Sequence, residues 1–183
     1  HRYIRRQRQM CIRDRWKADL AEQGTFWLSD TPKKPGSMTW GNRVTRICSW
    51  VRLIGKEGES LYAYNTHWDH QSQPSREKAA ELILKRVSER KHSGDPVILM
   101  GDFNATTTNP AIKTLVKSGA LVDHGGEKQK QTFNFWKPGL NEGLRIDHIF
   151  TSPLIKKAKI EVPAASDPVD SDHNPVILTF DGL

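Results

Sequence analysis

The sequence has few cysteines and no long hydrophobic run. Cys11 and Cys48 are its only cysteines, too few for a disulfide framework or a thiolate metal cage, and they leave the redox compartment open. Apolar residues make up 36% of the 183 positions, and no run approaches the roughly 20 residues that cross a membrane. The length of 183 residues fits about one domain, and the absence of a long hydrophobic run predicts that no segment spans a membrane.

Acidic residues are also in short supply, at 21 against 28 basic ones, which gives a net charge of +7. Much of this excess lies in the first fifteen residues, which hold six arginines and one aspartate. That segment has neither a clear helical or strand period nor the layout of a signal peptide. We therefore interpret residues 1–15 as a non-native or unrelated basic tail and residues 16–183 as one domain. We draw no conclusion about partners from the tail's charge.

The remaining pattern predicts more strands than helices, with the helices placed between strands. A helix is expected from Ser75 to about Lys91, and another from the N-cap Asn109 to Gly119. Strands are predicted at 25–29, 43–54, 61–65, 96–100, 132–136, 145–152, 155–162 and 175–180. This order favours a layered α/β sandwich.

Four short polar clusters follow or interrupt these strands: "YNTHWDH", "GDFN", "RIDHIF" and "SDHNP". Asp, Asn and Gly at strand ends usually form turns. Four clusters that each carry Asp or His favour a shared site instead, because ligands of α/β sheets bind outside strand ends.

The spacing within two clusters suggests their chemistry. Asp102 and Asn104 point the same way if the chain is extended, which would suit a hard divalent cation or a water aligned against a phosphate. Asp147 is expected inside a strand between apolar residues, where it needs a partner such as an imidazole. His173, held by a carboxylate, would be an acid–base or electrophilic group.

The ordered clusters resemble the endonuclease/exonuclease/phosphatase superfamily, which includes deoxyribonuclease I. "GTFWLSDTP", "PGSMTWG" and "RICSWVRL" further resemble a bacterial branch, so the likeness runs from about Gly24 to Phe180. It implies an α/β/β/α sandwich of the deoxyribonuclease I-like type. It also implies metal-dependent hydrolysis of a phosphate ester by in-line attack of water. The enzyme would be a phosphodiesterase or a nuclease, and it is expected to be a monomer. Nucleic acid, phospholipid and sugar phosphate stay open as substrates.

The resemblance also implies residue roles. Asp102 would align or activate the water and bind metal, Asn104 would contact the scissile phosphate, and His67 would donate to a phosphate oxygen. Asp147 would orient His173, and Asp172 would belong to the Mg²⁺ or Mn²⁺ environment. Asp69 matches the branch pattern, and a turn-capping role is expected about as readily as a role in the site. Arg46 could face phosphate from its strand, but an exposed strand arginine is the favoured interpretation. His148 and the tryptophans from Trp27 onward are expected to be structural, the tryptophans as core or cleft walls.

The sequence departs from the family pattern at its beginning. Family members begin with a strand that ends in a catalytic asparagine and a second that ends in "QE", whose glutamate is the principal metal ligand. Neither motif is present, and "KADLAEQG" is not expected to be a strand end. Residues 16–183 are therefore expected to be the C-terminal two-thirds of a sandwich that is incomplete at its N-terminus. Localisation, cytoplasmic or secreted, stays open. The alternative to an enzyme is a non-catalytic remnant or binding module, inactive as given.

Overall fold

The computed structural model describes residues 18–125, 130–137, 143–163 and 170–181. The predicted tail, residues 1–15, lies outside these ranges. The described strands are β1 (Ala18–Trp27), β2 (Ile47–Gly55), β3 (Ser60–His67), β4 (Val97–Asp102), β5 (Val122–Asp123), β6 (Asp147–Thr151), β7 (Lys159–Glu161) and β8 (Ile177–Thr179). The described helices are α1 (Gln73–Ser88) and α2 (Pro110–Lys117). None of these helices is long and apolar enough to cross a membrane.

Six strands form one mixed sheet in the order β1-β2-β3-β4-β6-β5, and β7 pairs with β8 in a second, smaller sheet. The β2–β3 hairpin is antiparallel. β3 and β4 are parallel, and α1 provides the crossover that a parallel pair requires. Parallel pairing places the C-terminal ends of β3 and β4 at the same edge of the sheet.

Each face of the large sheet buries its own apolar cluster. One cluster lies between the sheet and the two helices and includes Leu99, Phe103 and Phe150. The other lies against the small sheet and includes Ile98, Met100 and Ile149. Successive β4 residues enter opposite clusters because side chains alternate along a strand, which explains why "VILM" is continuously apolar. The described residues therefore form helix, sheet and sheet layers, and the predicted layered α/β class is confirmed.

Both predicted helices are present, but both ends of α1 are shifted. The N-cap of α1 is Ser72 instead of Ser75, because the Ser72 hydroxyl accepts from the backbone N–H of Ser75. The helix ends at Ser88, before the predicted Lys91. α2 begins as predicted, with the Asn109 side chain accepting from the backbone N–H of Ala111.

Several predicted strands are shorter or absent. Residues 132–136 do not form a strand, since only Phe133 makes isolated bridges, to Leu144 and His173. β6 begins at Asp147, so this residue lies at a strand start and not within the strand. β7 and β8 have three residues each. β1 extends back to Ala18, and "KADLAEQG" is therefore largely strand, whereas β5 was not predicted.

Candidate active site

Three neighbouring strands bring polar side chains to one edge of the large sheet. His67 is the last residue of β3 and lies opposite Asp102, the last residue of β4. Asp102 in turn lies opposite Asp147, the first residue of the antiparallel strand β6. Strand order and register thus place three of the predicted residues in a row. The sequence predicted a shared site for these residues, but not the strand register that aligns them.

The loop before β8 adds His173 to this row. His173 Nδ1 lies 2.7 Å from Asp147 Oδ2, which is the predicted hydrogen bond. Asp102 Oδ2 lies 3.3 Å from His67 Nε2 and 4.0 Å from His173 Nε2. One carboxylate oxygen therefore faces two imidazoles, and a second carboxylate holds the ring of one of them.

Gly101 allows β4 to approach β3 at this edge. Its φ is +142°, and a Cβ there would lie 1.9 Å from the backbone oxygen of Thr66. A side chain at this position would push the strands apart just before His67 and Asp102. The glycine of "GDFN" is therefore a packing requirement of the site.

Asn104 reaches the site by a turn. The strand ends at Asp102, and Asn104 has a φ of +47°, so the extended-chain argument for a shared direction was wrong. The Asn104 backbone N–H donates to Asp102 Oδ1 at 2.8 Å, and its Nδ2 donates to the Trp68 oxygen at 3.0 Å. Asn104 thus orients the Asp102 carboxylate through its backbone. Its predicted contact with the scissile phosphate stays a prediction.

Thr132 positions the start of β6, a role that the sequence did not reveal. It is fully buried, and its hydroxyl accepts from the backbone N–H groups of Ile146 and Asp147 at 3.1 and 3.0 Å. A threonine that follows a glutamine carries no local signal for this contact. Only the fold brings it to residues fourteen and fifteen positions along the chain.

Burial and neighbouring charges set the protonation of the row. Burial, together with the negative charge of Asp147, raises the pKa of Asp102 to about 6, against the stabilising Asn104 N–H. Burial lowers the pKa of His67 to about 4, and the positive charge of Arg46 adds to this. Burial also opposes protonation of His173. The hydrogen bond to Asp147 and the negative charge of Asp147 outweigh this effect of burial and raise the pKa of His173.

Asp102, Asp147 and His173 form a group that could hold a metal ion, with one ligand atom from each within 4.8 Å of the others. Hard divalent cations prefer carboxylate oxygens, and this group supplies two carboxylates, of which the Asp102 side chain is only 17% exposed. The donor set therefore fits such a cation in part. Asp172 is outside this group among the described residues, and its predicted place in the metal environment stays a prediction.

Arg46 differs from its expected position. It precedes β2, and its side chain is only 10% exposed, so the interpretation as an exposed strand arginine was wrong. Its Nε lies 3.7 Å from Asp69 Oδ2, and its Nη2 lies 3.1 Å from His70 Nδ1. Asp69 also accepts from the backbone N–H groups of Gln71 and Ser72. It is therefore a turn cap that also neutralises a buried arginine.

The fold agrees with a known sequence family. The Endonuclease/Exonuclease/phosphatase family matches residues 5–173 of the chain, and the chain belongs to that family. No curated protein matches the chain.

Solved structures show the same relationship. A mannosyl-6-phosphatase of Bacteroides thetaiotaomicron is 32% identical, with a TM-score of 0.78 over 90% of this chain and 68% of that chain. A family member from Bacteroides vulgatus is 29% identical, with a TM-score of 0.81 over 90% and 67%. The human Nocturnin catalytic domain shares the fold, at 18% identity and a TM-score of 0.62 over 89% and 60%. The chain thus spans about two thirds of the length of these proteins.

Proposed function

We propose that the chain carries the site of a divalent-metal-dependent phosphoesterase, which hydrolyses a phosphate ester by in-line attack of water. Family membership supports a phosphoesterase. The observation that carries the proposal is the position of Asp102 Oδ2 between two imidazoles, one of which Asp147 holds by a 2.7 Å hydrogen bond. Such an arrangement suits the handling of protons around one reacting group.

Each side chain has a role that follows from its contacts. Asp147 Oδ2 accepts a hydrogen bond from the Nδ1–H of His173, which leaves Nε2 directed to the side where Asp102 lies. Asp102, with a pKa of about 6, is ionised at neutral pH and able to accept a proton from water. His67, with a pKa of about 4, is neutral there and can donate one N–H to a phosphate oxygen. Asn104 holds the Asp102 carboxylate in place.

A bound Mg²⁺ or Mn²⁺ would stabilise negative charge on the phosphate oxygens during the transfer. Asp102 is the residue common to the predicted ligands and to the observed acidic group, and Asp147 is its neighbour in that group. We propose Asp102 as a ligand, with Asp172 as a more distant contributor to the cation's surroundings.

Two substrate classes are open within this proposal. The sequence interpretation favours a phosphodiester, as in a phosphodiesterase or nuclease. The 32% identical relative is named a mannosyl-6-phosphatase, which favours a sugar phosphate monoester as the second candidate. Beyond residues 1–15 the chain has few excess positive charges, and this weakly disfavours tight DNA binding, which depends on phosphate neutralisation.

The test is EDTA-sensitive hydrolysis of bis(p-nitrophenyl) phosphate and of mannose 6-phosphate with Mg²⁺ or Mn²⁺, by a form of the chain extended with the family's "QE" strand, because the resemblance implies that its glutamate is the principal metal ligand. Asp102→Asn should abolish turnover while the fold is retained, and His173→Ala should slow it by on the order of 10²–10⁴-fold. Turnover by Asp102→Asn at the parent rate would contradict the proposal. The alternative, a non-catalytic binding module, predicts that the chain binds phosphate esters and hydrolyses none of them.

A further inference from the structure

A cleft of about 440 Å³ lies on the helix-covered face of the large sheet, between β1–β3 and the end of α1. This volume falls within the range of small-molecule sites, roughly 300–1,000 Å³. Its β3 residues, Tyr62 and Tyr64, come before the end of the strand where His67 lies. Among the described residues that line the cleft, none belongs to the row of His67, Asp102 and Asp147. The cleft is therefore separate from the candidate active site.

The floor of the cleft is aromatic because a glycine makes room for a tryptophan. Gly24, Trp50 and Tyr64 are neighbours across β1, β2 and β3. A Cβ on Gly24 would lie 2.8 Å from Nε1 of the Trp50 indole, so the ring lies over the glycine backbone. Glycine inside a strand loosens the strand and often marks such a close approach. The Trp50 ring is only partly buried, and its centroid lies 5.8 Å from that of Tyr62. Part of an aromatic surface is thus open to the cleft.

Cations line the cleft beside this floor. Arg86 lies on α1, Arg90 follows the helix, and Lys33 lies in the turn after β1. Three backbone oxygens accept from Arg90 and fix its guanidinium. Arg86 differs, because its Nε is buried without a hydrogen-bond partner and its Cζ lies 5.6 Å from the centroid of the Phe26 ring. Within the described part of the chain, neither Arg86 nor Lys33 has an ion-pair partner.

Two glutamates line the same cleft, but each lies beside another side chain that can carry a positive charge. Glu22 Oε1 lies 3.0 Å from His92 Nε2. Glu89 Oε1 lies 3.9 Å from Lys85 Nζ. The cleft therefore keeps uncompensated positive charge at Arg86 and next to an open aromatic surface.

We propose that this cleft is a second binding site, which takes a small anion that carries a flat aromatic ring. The ring stacks on Trp50, as aromatic systems do at close range. The anionic group accepts from Arg86, whose planar guanidinium matches carboxylate and phosphate, and Lys33 adds a second positive charge. An aryl carboxylate and a nucleoside monophosphate both have this chemistry. Such a ligand supplies the acceptor that Arg86 lacks.

Titration calorimetry of the chain in EDTA tests the site, since EDTA prevents phosphate binding through a divalent cation at Asp102. The probes are 2-naphthoate, adenosine 5′-monophosphate and decahydro-2-naphthoate, the saturated analogue that has the same charge but no flat ring. At least one of the two aromatic anions should bind on the order of 10-fold more tightly than decahydro-2-naphthoate. Comparison of the two aromatic anions shows whether a carboxylate or a phosphate is favoured.

Two variants test the role of the cations. Arg86→Gln removes the charge but keeps a polar side chain, and it should weaken binding of the aromatic anions on the order of 10-fold. Lys33→Ala changes an exposed turn residue with little risk to the fold, and it should weaken binding about twofold to fivefold. The matched controls are Arg43→Gln and Lys113→Ala, which replace exposed cations outside the cleft. Both controls should leave every affinity unchanged.

The indole N–H resonance of Trp50, assigned with Trp50→Phe, reports where the probe binds. It should shift when the tighter aromatic anion is added, whereas that of Trp68, whose backbone oxygen accepts from Asn104 at the candidate active site, should not. A shift of Trp68 without one of Trp50 would contradict the inference.

Three calorimetric results would also overturn it: no binding of either aromatic anion to the parent chain; equal affinity for decahydro-2-naphthoate; or affinities in Lys33→Ala and folded Arg86→Gln that equal those of the controls. None of these measurements depends on hydrolysis. The inference therefore stands or falls separately from the proposed function.

Discussion

His173 Nδ1 and Asp147 Oδ2 lie 2.7 Å apart, although the two residues belong to a loop and a strand that are 26 positions apart in the chain. This contact fixes the direction of the imidazole and keeps its Nε2 on the side of Asp102, 4.0 Å from Oδ2. The carboxylate also stabilises the protonated ring, because an opposite charge at short range favours the charged form.

Asp147→Asn should therefore lower the pKa of His173, since the negative charge that raises it is removed and the amide oxygen is a weaker acceptor than the carboxylate. Hydrolysis should slow by about 10- to 100-fold, the usual effect of removing a group that orients a functional side chain. Proton NMR titration of the His173 ring measures the pKa, and initial rates measure hydrolysis. An unchanged pKa would show that this hydrogen bond does not control the imidazole.

Gly101→Ala should destabilise the fold by about 1–3 kcal/mol or more, because a Cβ cannot fit 1.9 Å from the Thr66 oxygen. Gly94→Ala is the matched control, with nothing within 4 Å of a Cβ there, and it should be neutral or slightly stabilising. Urea denaturation of both variants measures the free energies of unfolding. Equal stability in Gly101→Ala and Gly94→Ala would mean that β3 and β4 need no close approach.

Much of the site could be predicted because its residues follow strands. "NTH", "GDFN", "IDH" and "SDH" place Asp or His where strands begin or end, and the register of β3, β4 and β6 then aligns His67, Asp102 and Asp147. The apolar pattern was equally informative for α1 and β4. Both signals are local, so a single sequence carries them.

Contacts that depend on long-range packing could not be predicted. The burial of Arg46 depends on Asp69 and His70, and the role of Thr132 depends on where β6 begins. The segment "TFNFW" has the composition of a strand, yet Asn134 bonds to the loop of His173 and turns the chain into positive φ at Phe135. Side-chain hydrogen bonds therefore overrode the local strand preference.

Stability should depend on pH through His148, which is 1% exposed and whose Nε2 lies 2.8 Å from the Ala105 oxygen. Burial lowers its pKa from 6.5 to about 4, so the fold favours the neutral ring. The unfolded chain binds the proton first as the pH falls. The stabilising effect of the neutral His148 ring on the free energy of unfolding is therefore complete above pH 6.5. It is lost progressively as the pH falls from 6.5 to 4, by up to about 3 kcal/mol.

His148→Gln keeps a side-chain donor for the Ala105 oxygen but cannot titrate in this range. Its free energy of unfolding should be less steep in pH between 6.5 and 4 than that of the parent, whatever its absolute value. Chemical denaturation at intervals across this range provides the comparison. Parallel curves for the two proteins would show that protonation of His148 does not oppose folding.

The last prediction concerns Arg46, whose positive charge adds to the burial that lowers the pKa of His67 and opposes the burial that raises the pKa of Asp102. Arg46→Met removes this charge but keeps much of the side-chain volume. Both pKa values should rise, because loss of a nearby positive charge favours the protonated imidazole and disfavours the carboxylate. The variant should also be less stable, since Asp69, 2% exposed, loses the cation 3.7 Å away.

Arg46→Lys is the matched control and should return the His67 pKa most of the way to its parent value. NMR titration of His67 in the three proteins decides the matter. If the His67 pKa is the same with methionine as with arginine, the charge of Arg46 has no electrostatic effect on His67, and its ion pair with Asp69 has a structural role only.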